Sequence, residues 1–461
     1  MNRRKFNLLA GSSLASVTAL RSAKAQSASP DPSLLTTTLT PFGAERAGNA
    51  DGSIPAWTGG LVAPPVGPDT PALVQVFTGE QPLYTVDASN MAQYAHLLSA
   101  ATQVQITKFG WSLKVYQTHR TSAAPQYVYD NMAKNVTRAQ LDPAGGRYGF
   151  TNAYGGVPFP ILDTSDPLKA GAQAIWNHLT VFGGYSIQDI FTSSFVVING
   201  QQILVNGTVG YSIYPYYDPN GSLETFDGYY SKVRSDTIMP GSVDGQEILI
   251  WHSSNTRQKA DITWTLLNGE ARVRKAPNEQ YDSPEAATNG ISNVDENSMF
   301  YGDPQQFDWK LIGKQELLIP YNCNVMDFTQ ASEFLLPKFP NPDMVRWEKH
   351  RVYVIEATLH EGYRNVVPHR RFYIDEDSWY GAMGDGYDAN GNLIKGYNQY
   401  LGVVPSMPSI QEVASAIWDL NSGDYAINGP LSTGSHVAQL LIKPVDDSLF
   451  DPQQMAAASS F

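Results

Sequence analysis

Three stretches of the chain carry apolar residues at the spacing of an amphipathic helix. Residues 87–108, 171–182 and 410–420 each place apolar side chains three or four positions apart, which gathers them on one face of a helix. Ser409 and Glu412 have the spacing of a capping box at the start of the third stretch. The pattern therefore predicts a helix in all three places.

Most of the remaining chain has the pattern of antiparallel strands joined by tight turns. Asn-Gly favours the two positive-φ positions of a type I′ hairpin turn. β-Prone runs flank several of these dipeptides, as at 195–198 and 201–205, and 262–267 and 270–273; further β-prone runs lie at 351–359 and 370–375. Seven such dipeptides occur, beginning at Asn199, Asn206, Asn220, Asn268, Asn289, Asn390 and Asn428. The sequence predicts a mainly β fold with a few helices (α+β), as a barrel, half-barrel or sandwich.

The first 25 residues have the features of an export signal. Basic residues at the start precede an apolar run, and Ala23-Lys24-Ala25 fits the rule for signal peptidase cleavage. We expect cleavage after Ala25. The paired Arg3 and Arg4 resemble a twin-arginine signal, and a general secretory signal with two arginines is the alternative. The expected location is the periplasm.

The rest of the chain divides into three expected segments. Residues 26–85 are rich in proline and glycine, which predicts an irregular segment that lies across the folded body or is partly disordered. Residues 86–445 have no obvious linker, so we expect one β-rich body. Residues 446–461 are expected to form a C-terminal tail.

The charge of the chain excludes some partners. The sequence has 31 Lys and Arg against 44 Asp and Glu, a formal net charge of −13, and removal of residues 1–25 leaves −18. A chain this acidic lacks the clustered basic residues that bind nucleic acid or anionic lipid surfaces. No stretch after the signal approaches the ~18 apolar residues of a membrane-spanning helix, so we expect no transmembrane anchor in the mature chain.

Motifs of the common catalytic classes are missing from the sequence. It has no G-x-S-x-G, no H-E-x-x-H, no P-loop and no G-x-G-x-x-G. The single cysteine, Cys323, excludes an internal disulfide, and its apolar neighbours predict a buried and unreactive thiol. Among the eight histidines, His350, His360 and His369 are ten and nine residues apart, so a metal site there would require neighbouring strands to converge. Surface or hydrogen-bonded histidines are expected instead.

Two acidic stretches resemble a metal site or a catalytic site. Residues 385–392 (DGYDANGN) resemble a calcium loop but lack its closing acidic residue, since Gly396 stands at the twelfth position. A hairpin turn is therefore expected. The sequence Asp375-Glu376-Asp377 follows Arg370-Arg371; paired carboxylates serve glycoside hydrolysis, but charge-paired strand ends are the expected role.

Aromatic residues make up 11% of the chain, and this is the feature of its composition that points to a ligand cavity. Clustered aromatic side chains line apolar ligand cavities in half-closed barrels, and ordinary core packing is the alternative. The two clusters that stand out are Tyr211, Tyr214, Tyr216 and Tyr217, and Trp347, Tyr353 and Tyr363.

Several longer motifs resemble a known family in order along the chain. The first and most distinctive is LTPFGAERAGNADG at 39–52, followed by IPAWTGG at 54–60. Others are PQYVYDN at 125–131, GGVPFP at 155–160, AIWNHL at 174–179, RVYVIEA at 351–357 and RRFYIDEDSW at 370–379. These motifs closely resemble the bacterial domain-of-unknown-function family 1329 and cover most of the mature chain.

The resemblance implies a fold like that of the lipoprotein-sorting carriers LolA and LolB, in which a curved antiparallel sheet wraps helices and shelters a lipid-binding cavity. It also implies an outer-membrane barrel or an exporter of hydrophobic compounds as partner. It carries no catalytic residue, so we predict no catalytic, metal or cofactor-binding residue and no cofactor, and the residues that bind the ligand stay unassigned.

The sequence thus predicts a periplasmic, non-enzymatic carrier for a lipid or other hydrophobic compound, acting with envelope transport partners. One alternative is a hydrolase of a hydrophobic, ester-like substrate, with a nucleophile–base pair assembled around His360 or His369. The other alternative is a structural envelope protein without a cavity.

Overall fold

A computed structural model describes residues 30–270, 272–276, 282–429, 431–434 and 436–458. The predicted export signal therefore lies outside the described residues. The strands are β1 Tyr84–Val86, β2 Leu113–Val115, β3 Gln140–Leu141, β4 Phe150–Thr151, β5 Ser186–Ile198, β6 Gln201–Ile213, β7 Tyr229–Met239, β8 Glu247–Ser253, β9 Ile262–Leu266, β10 Arg274–Lys275, β11 Phe307–Pro320, β12 Trp347–Leu359, β13 His369–Asp375, β14 Gly381–Tyr387, β15 Leu393–Val404, β16 Ser409–Asp419, β17 Tyr425–Gly429 and β18 Leu440–Ile442.

Helices are short and few within those ranges. The α-helices are α1 Met91–Tyr94, α2 Ala100–Phe109, α3 Gln126–Arg138, α4 Pro167–Leu179, α5 Ala331–Phe334 and α6 Pro452–Ala458. The 3₁₀ helices are Pro32–Thr36, Ala95–Leu97, Pro215–Tyr217, Ala286–Thr288, Val294–Glu296, Pro304–Gln306, Asn324–Phe328, Pro342–Met344 and Asp447–Phe450.

One large curved sheet organises the molecule. Its strands run in the order β1-β2-β12-β13-β14-β15-β16-β17-β5-β6-β7-β8-β9-β10, while β11 pairs with β12 and β18 pairs with β5. The pairs are antiparallel except for one parallel contact between β2 and β12. Short connections explain the runs of consecutive strands β12 to β17 and β5 to β10, because antiparallel neighbours need only short turns, whereas β2 with β12, β17 with β5 and β18 with β5 pair strands that are distant in the chain. The predicted fold class, mainly β with few helices around a curved sheet, is confirmed.

The central strands are covered on both faces. Along β12, Val352 and Val354 belong to the core that contains α2, while Tyr353 and Ile355 belong to the core that contains α3 and α4. Successive side chains of a strand point to opposite faces, so the alternation assigns one core to each face of the sheet. A sheet buried on both faces does not show a simple apolar–polar alternation in its sequence.

This double burial explains the one helix prediction that is wrong. Residues 410–420 form most of strand β16, which pairs with β15 on one side and with β17 on the other. Ile410, Val413, Ala414 and Ile417 are all buried. A strand buried on both faces carries a continuous apolar run, which includes residues at helical spacing by chance. Glu412 lies inside the strand and does not cap a helix.

The other two helix predictions are confirmed with altered bounds. The stretch at 87–108 contains α1 and α2, interrupted at Leu98, which is extended; Ser99 then caps α2 by accepting a hydrogen bond from the Thr102 amide. The stretch at 171–182 corresponds to α4, capped by Asp166. Helix α3 was not predicted from periodicity, although it begins inside the motif at 125–131.

Asn-Gly dipeptides form turns at five of the seven positions. Asn199 and Gly200 have φ values of 51° and 78° and join β5 to β6 directly. The dipeptides at 206–207 and 428–429 instead lie inside β6 and β17. In these two the glycine serves close packing, since a Cβ at Gly207 or Gly429 would lie 2.6 Å from Met239 or 2.5 Å from Ala414.

Residues 39–60, the most distinctive motif of the sequence, lie against the folded body. The Trp57 indole donates to the carbonyl of Ser122, and the Trp379 indole donates to the carbonyl of Phe42. Gly43 has φ 89°, and a Cβ there would lie 1.7 Å from a carbonyl oxygen of Pro160. The motif is therefore a close-fitting covering strap whose glycine allows direct backbone contact.

Candidate functional site

A cavity of about 820 Å³ opens beside strand β8. Its walls come from β8 and β9, from residues 256–261 between them, and from the connections at 282–305 and 362–364. Gly362, Tyr363 and Arg364 are exposed at the mouth. The volume falls within the range of small-molecule binding sites.

The wall formed by β8 is apolar because of strand alternation. Ile248, Ile250 and His252 face the cavity. Leu249 and Trp251 face the other side, where they contact the core formed with Phe450 and Met455 of the C-terminal region. Packing of the C-terminal region against the back of β8 thus holds the cavity wall in place.

A buried histidine lies at the floor of the cavity between two partners. His252 Nδ1 lies 3.1 Å from Asp261 Oδ2, and its Nε2 lies 2.6 Å from the Tyr301 hydroxyl. Since a carboxylate only accepts, Nδ1–H donates to Asp261 and Nε2 accepts from Tyr301. Asp261 also accepts from the Ser253 amide at 2.7 Å. The floor therefore presents an ordered Asp–His–Tyr chain of hydrogen bonds.

Charged groups line the rest of the cavity. The Arg257 guanidinium lies 4.1 Å from the ring centre of Tyr148, and Arg364 Nε lies 3.1 Å from Asp282 Oδ2. Asp303 is buried and accepts from the backbone amide of Gln305 at 3.0 Å. Desolvation by burial raises the pKa of Asp303 to about 7. The cavity thus combines an apolar wall with a polar floor and rim.

Replacing Asp303 is expected to change the pH dependence of stability. A folded-state pKa above the ordinary value gives a stabilising contribution that is complete at low pH and is lost as pH rises towards 7. From pH 5.5 to pH 8, we expect the unfolding free energy of the wild type to fall by about 2 kcal/mol more than that of Asp303→Asn. Urea titrations at both pH values measure this, with Asp244→Asn, at an exposed position, as control. The same difference in unfolding free energy between Asp303→Asn and the wild type at both pH values would contradict the raised pKa.

A second polar assembly, which we call the buried ionic cluster, lies between β12 and the turn after β13. It comprises Glu45, Glu80, Arg120, Lys314, Arg346, Glu348, His350, Arg351, Asp375, Glu376 and Asp377. At its centre Arg120 binds Asp377 in a bidentate manner, at 2.6 and 2.8 Å. Arg120 also donates to the backbone carbonyl of Glu45, so the cluster holds the covering strap onto the body.

Charge pairing of Asp375-Glu376-Asp377, as predicted, is confirmed, but the partners come from elsewhere in the chain. Arg370 binds Asp295 at 2.8 Å, and Arg371 binds Glu356. Their place at the acidic stretch is taken by Arg120, Lys314 and Arg351. Desolvation and the nearby charge of Asp377 raise the pKa of Asp375.

The sequence predictions for the remaining polar residues are mostly confirmed. Cys323 is fully buried, and desolvation raises the pKa of its thiol to about 12. Residues 385–392 form the end of β14 and a hairpin turn closed by Asp388, which accepts from the amides of Asn390 and Asn392. Asp385 is buried and accepts from the first amides of α2. The calcium loop is therefore absent from this stretch.

The three histidines considered for a metal site do not converge. His369 pairs with Thr358 on β12, eight residues and therefore about 26 Å along the strand from His350. His360 contacts Asp308 and Arg147 through its two ring nitrogens. Neither His360 nor His369 is joined to a serine or threonine among the described hydrogen bonds, so the nucleophile–base pair that the hydrolase alternative requires is not seen at either residue.

The aromatic clusters divide between core and cavity. Of the seven aromatic residues named from the sequence, Tyr363 lines the cavity. Tyr216, Tyr217, Trp347 and Tyr353 are buried in the two large cores, while Tyr211 and Tyr214 are packed at core edges. The sequence analysis missed His252, Arg257, Asp261 and Asp303, because the cavity brings together residues from Tyr148 to Arg364, 216 positions apart, and no short motif links them.

A family model and a curated relative each match most of the chain. The sequence model of DUF1329, a protein of unknown function, matches residues 85–456. The uncharacterized protein PA3922 of Pseudomonas aeruginosa is 35% identical over 396 residues, which cover 84% of this chain and 82% of that protein. Within the described residues, no helix combines the length and apolar character required to cross a bilayer.

Solved structures align with the chain at low identity. A DUF1329 family protein from Desulfovibrio piger aligns over 63% of this chain and 99% of its own, with 14% identity and a TM-score of 0.43. A putative outer membrane lipoprotein-sorting protein domain from Vibrio parahaemolyticus gives the same coverages, with 13% identity and a TM-score of 0.42. The LolA superfamily protein NE2245 from Nitrosomonas europaea aligns over 59% and 92%, with 11% identity and a TM-score of 0.32.

Proposed function

The chain belongs to the DUF1329 family of proteins of unknown function, and we propose that it is a periplasmic carrier that binds a hydrophobic or amphiphilic molecule in the cavity beside β8. The cavity is the observation that carries this proposal. Its volume of about 820 Å³ suits a lipid-sized or multi-ring ligand. Cleavage of the export signal after Ala25 and delivery to an envelope barrel or exporter complete the proposed role.

The composition of the cavity wall supports an amphiphile. Ile248, Ile250 and Val294 offer apolar surface, while the Asp261–His252–Tyr301 chain and Arg257 offer polar contacts. Burial of an alkyl chain contributes about 0.8 kcal/mol per CH₂ group, so the roughly 8 kcal/mol of micromolar affinity corresponds to about ten buried CH₂ groups before the entropy cost of binding. A few fixed polar groups then orient the ligand.

Displacement of a fluorescent probe tests the proposal. The mature chain is titrated with N-phenyl-1-naphthylamine, and the bound probe is displaced by a panel of fatty acids, lysophospholipids, sterols and neutral aromatic compounds. We expect saturable probe binding and displacement by at least one class at micromolar concentration. Failure of both the probe and every member of the panel to bind would contradict the carrier proposal.

A hydrolase of a hydrophobic ester is the second candidate, because a His–carboxylate pair lies at the floor of the cavity. The hydrolase is less well supported because Nε2 of His252 contacts the Tyr301 hydroxyl and not a serine or threonine. Turnover of p-nitrophenyl octanoate distinguishes the two functions. A carrier gives no turnover above buffer, whereas a hydrolase gives turnover that His252→Gln abolishes.

A further inference from the structure

Among the residues that the structure describes, two buried polar atoms at the centre of the buried ionic cluster have no hydrogen-bond partner. They are Asp375 Oδ1 and the Tyr321 hydroxyl, both in fully buried side chains. The ring of Tyr321 contacts that of His350, with centroids 4.1 Å apart and the ring planes inclined at 31°. A buried polar group without a partner costs about 1–3 kcal/mol, and more when it is charged. The unsatisfied carboxylate oxygen therefore points to a ligand.

Three metal-ligating side chains meet around that oxygen. His350, Asp375 and Asp377 are all buried, and one ligand atom from each lies within 4.8 Å of the others. His350 Nδ1 faces Asp375 Oδ1 at 3.7 Å. Two ligands of one tetrahedral Zn²⁺ ion lie about 3.4 Å apart, so the 3.7 Å pair is close to ligand spacing, and atoms up to 4.8 Å apart would have to close by about 1.4 Å to share an ion.

The second nitrogen of His350 has the partner that a metal ligand requires. Its Nε2 lies 3.2 Å from Glu348 Oε2, and metal-binding histidines commonly donate their other N–H to a carboxylate, which fixes the ring and its tautomer. Glu348 is itself held by the His119 amide and the Asn322 side chain. In the neutral tautomer that metal binding requires, with Nε2–H donating to Glu348, the lone pair of Nδ1 would be directed towards Asp375.

The charge of the cluster also favours a divalent cation. Its ion pairs connect six carboxylates with four lysine or arginine side chains, which gives a formal charge of −2 when every carboxylate is ionised and His350 is neutral, the forms that bind a metal ion. Both oxygens of Asp377 already bind Arg120, but a carboxylate offers about four lone-pair sites, so Asp377 can bind a metal ion as well. A divalent ion would offset part of the negative charge that the buried carboxylates Asp375 and Asp377 bring to the centre of the cluster.

We propose that His350, Asp375 and Asp377 bind one divalent transition-metal ion, for which Zn²⁺ is the best fit because its ligands in proteins include imidazole and carboxylate. The covering strap lies over the cluster, where Arg120 and Arg351 donate to the carbonyls of Glu45 and Ala47. The ion is therefore structural: it joins β12 to the turn after β13 beneath the strap. It is separate from the cavity beside β8.

Metal analysis of the mature chain tests this site. We expect about one zinc per chain by elemental mass spectrometry after dialysis, and a lower melting temperature once a strong chelator has removed it, restored by added Zn²⁺. X-ray absorption at the zinc edge is expected to show nitrogen and oxygen ligands at about 2.0–2.2 Å and one imidazole. This measurement uses the wild-type chain and does not depend on the folding of a variant.

Two near-isosteric variants assign the residues. Asp375→Asn and His350→Gln are each expected to reduce bound zinc at least tenfold, whereas His360→Gln, which alters a His–carboxylate pair outside the cluster, keeps one equivalent. Less than 0.1 zinc per chain in the wild type, with no stabilisation by added Zn²⁺ or Mn²⁺, would overturn the proposal. So would full zinc content in both cluster variants, or an absorption spectrum without imidazole.

Discussion

Replacement of Arg120 by methionine is expected to destabilise the protein by about 3–5 kcal/mol, because the change leaves the buried carboxylate of Asp377 without its partner. Both side chains are only 2–3% exposed. Arg120 also donates to the backbone carbonyls of Glu45, Arg46 and Pro55. The same variant is therefore expected to loosen the covering strap at residues 39–60.

Urea unfolding measures the first effect, and limited proteolysis within residues 39–60 measures the second. Arg371→Met is the matched control, since Arg371 pairs with Glu356 at the surface, where both side chains are over one third exposed. Surface ion pairs contribute at most about 1 kcal/mol. Equal losses of stability in Arg120→Met and Arg371→Met would contradict the role assigned to the buried ionic cluster.

Replacement of Ile250 by tryptophan is expected to weaken binding of N-phenyl-1-naphthylamine at least tenfold, which corresponds to at least about 1.4 kcal/mol. Ile250 lies on the cavity face of β8, so a larger side chain there occupies the space that the ligand needs. The back of the strand is held by the C-terminal core, which prevents the wall from moving away. Probe titration with the mature chain gives the affinity.

Ile203→Trp provides the control for this substitution. Ile203 is a β-strand isoleucine that is 47% exposed and lies outside the cavity lining. We expect its probe affinity to match that of the wild type. Equal affinity in the wild type and Ile250→Trp would show that the probe binds elsewhere and would contradict the assignment of the cavity as the ligand site.

Much of the fold could be predicted from local patterns. The type I′ turn at Asn199-Gly200 and the helix at 171–182 follow from backbone preferences that act over a few residues. The error at 410–420 arose because β16 is buried on both faces, which is a property of its neighbours β15 and β17. Likewise, Asn428-Gly429 forms no turn but lies inside β17, where Ala414 on the paired strand leaves no room for a Cβ at Gly429.

The candidate sites depended on contacts that no local pattern records. His252, Asp261 and Tyr301 meet across connections of nine and forty residues. Arg120 reaches Asp377 over a separation of 257 residues. The sequence did show one of these features indirectly: the distinctive motif at 39–60 is the strap that covers the buried ionic cluster. Its conformation follows from that contact and not from its own periodicity.

Native mass spectrometry of the mature chain purified from its own host tests the central proposal most directly. For a carrier, we expect a bound species that organic solvent releases and that is identified as a lipid or other hydrophobic compound. Its occupancy is expected to fall in Ile250→Trp and to persist in Ile203→Trp. Spectra that show only the bare chain, together with no uptake from the amphiphile panel, would contradict the account.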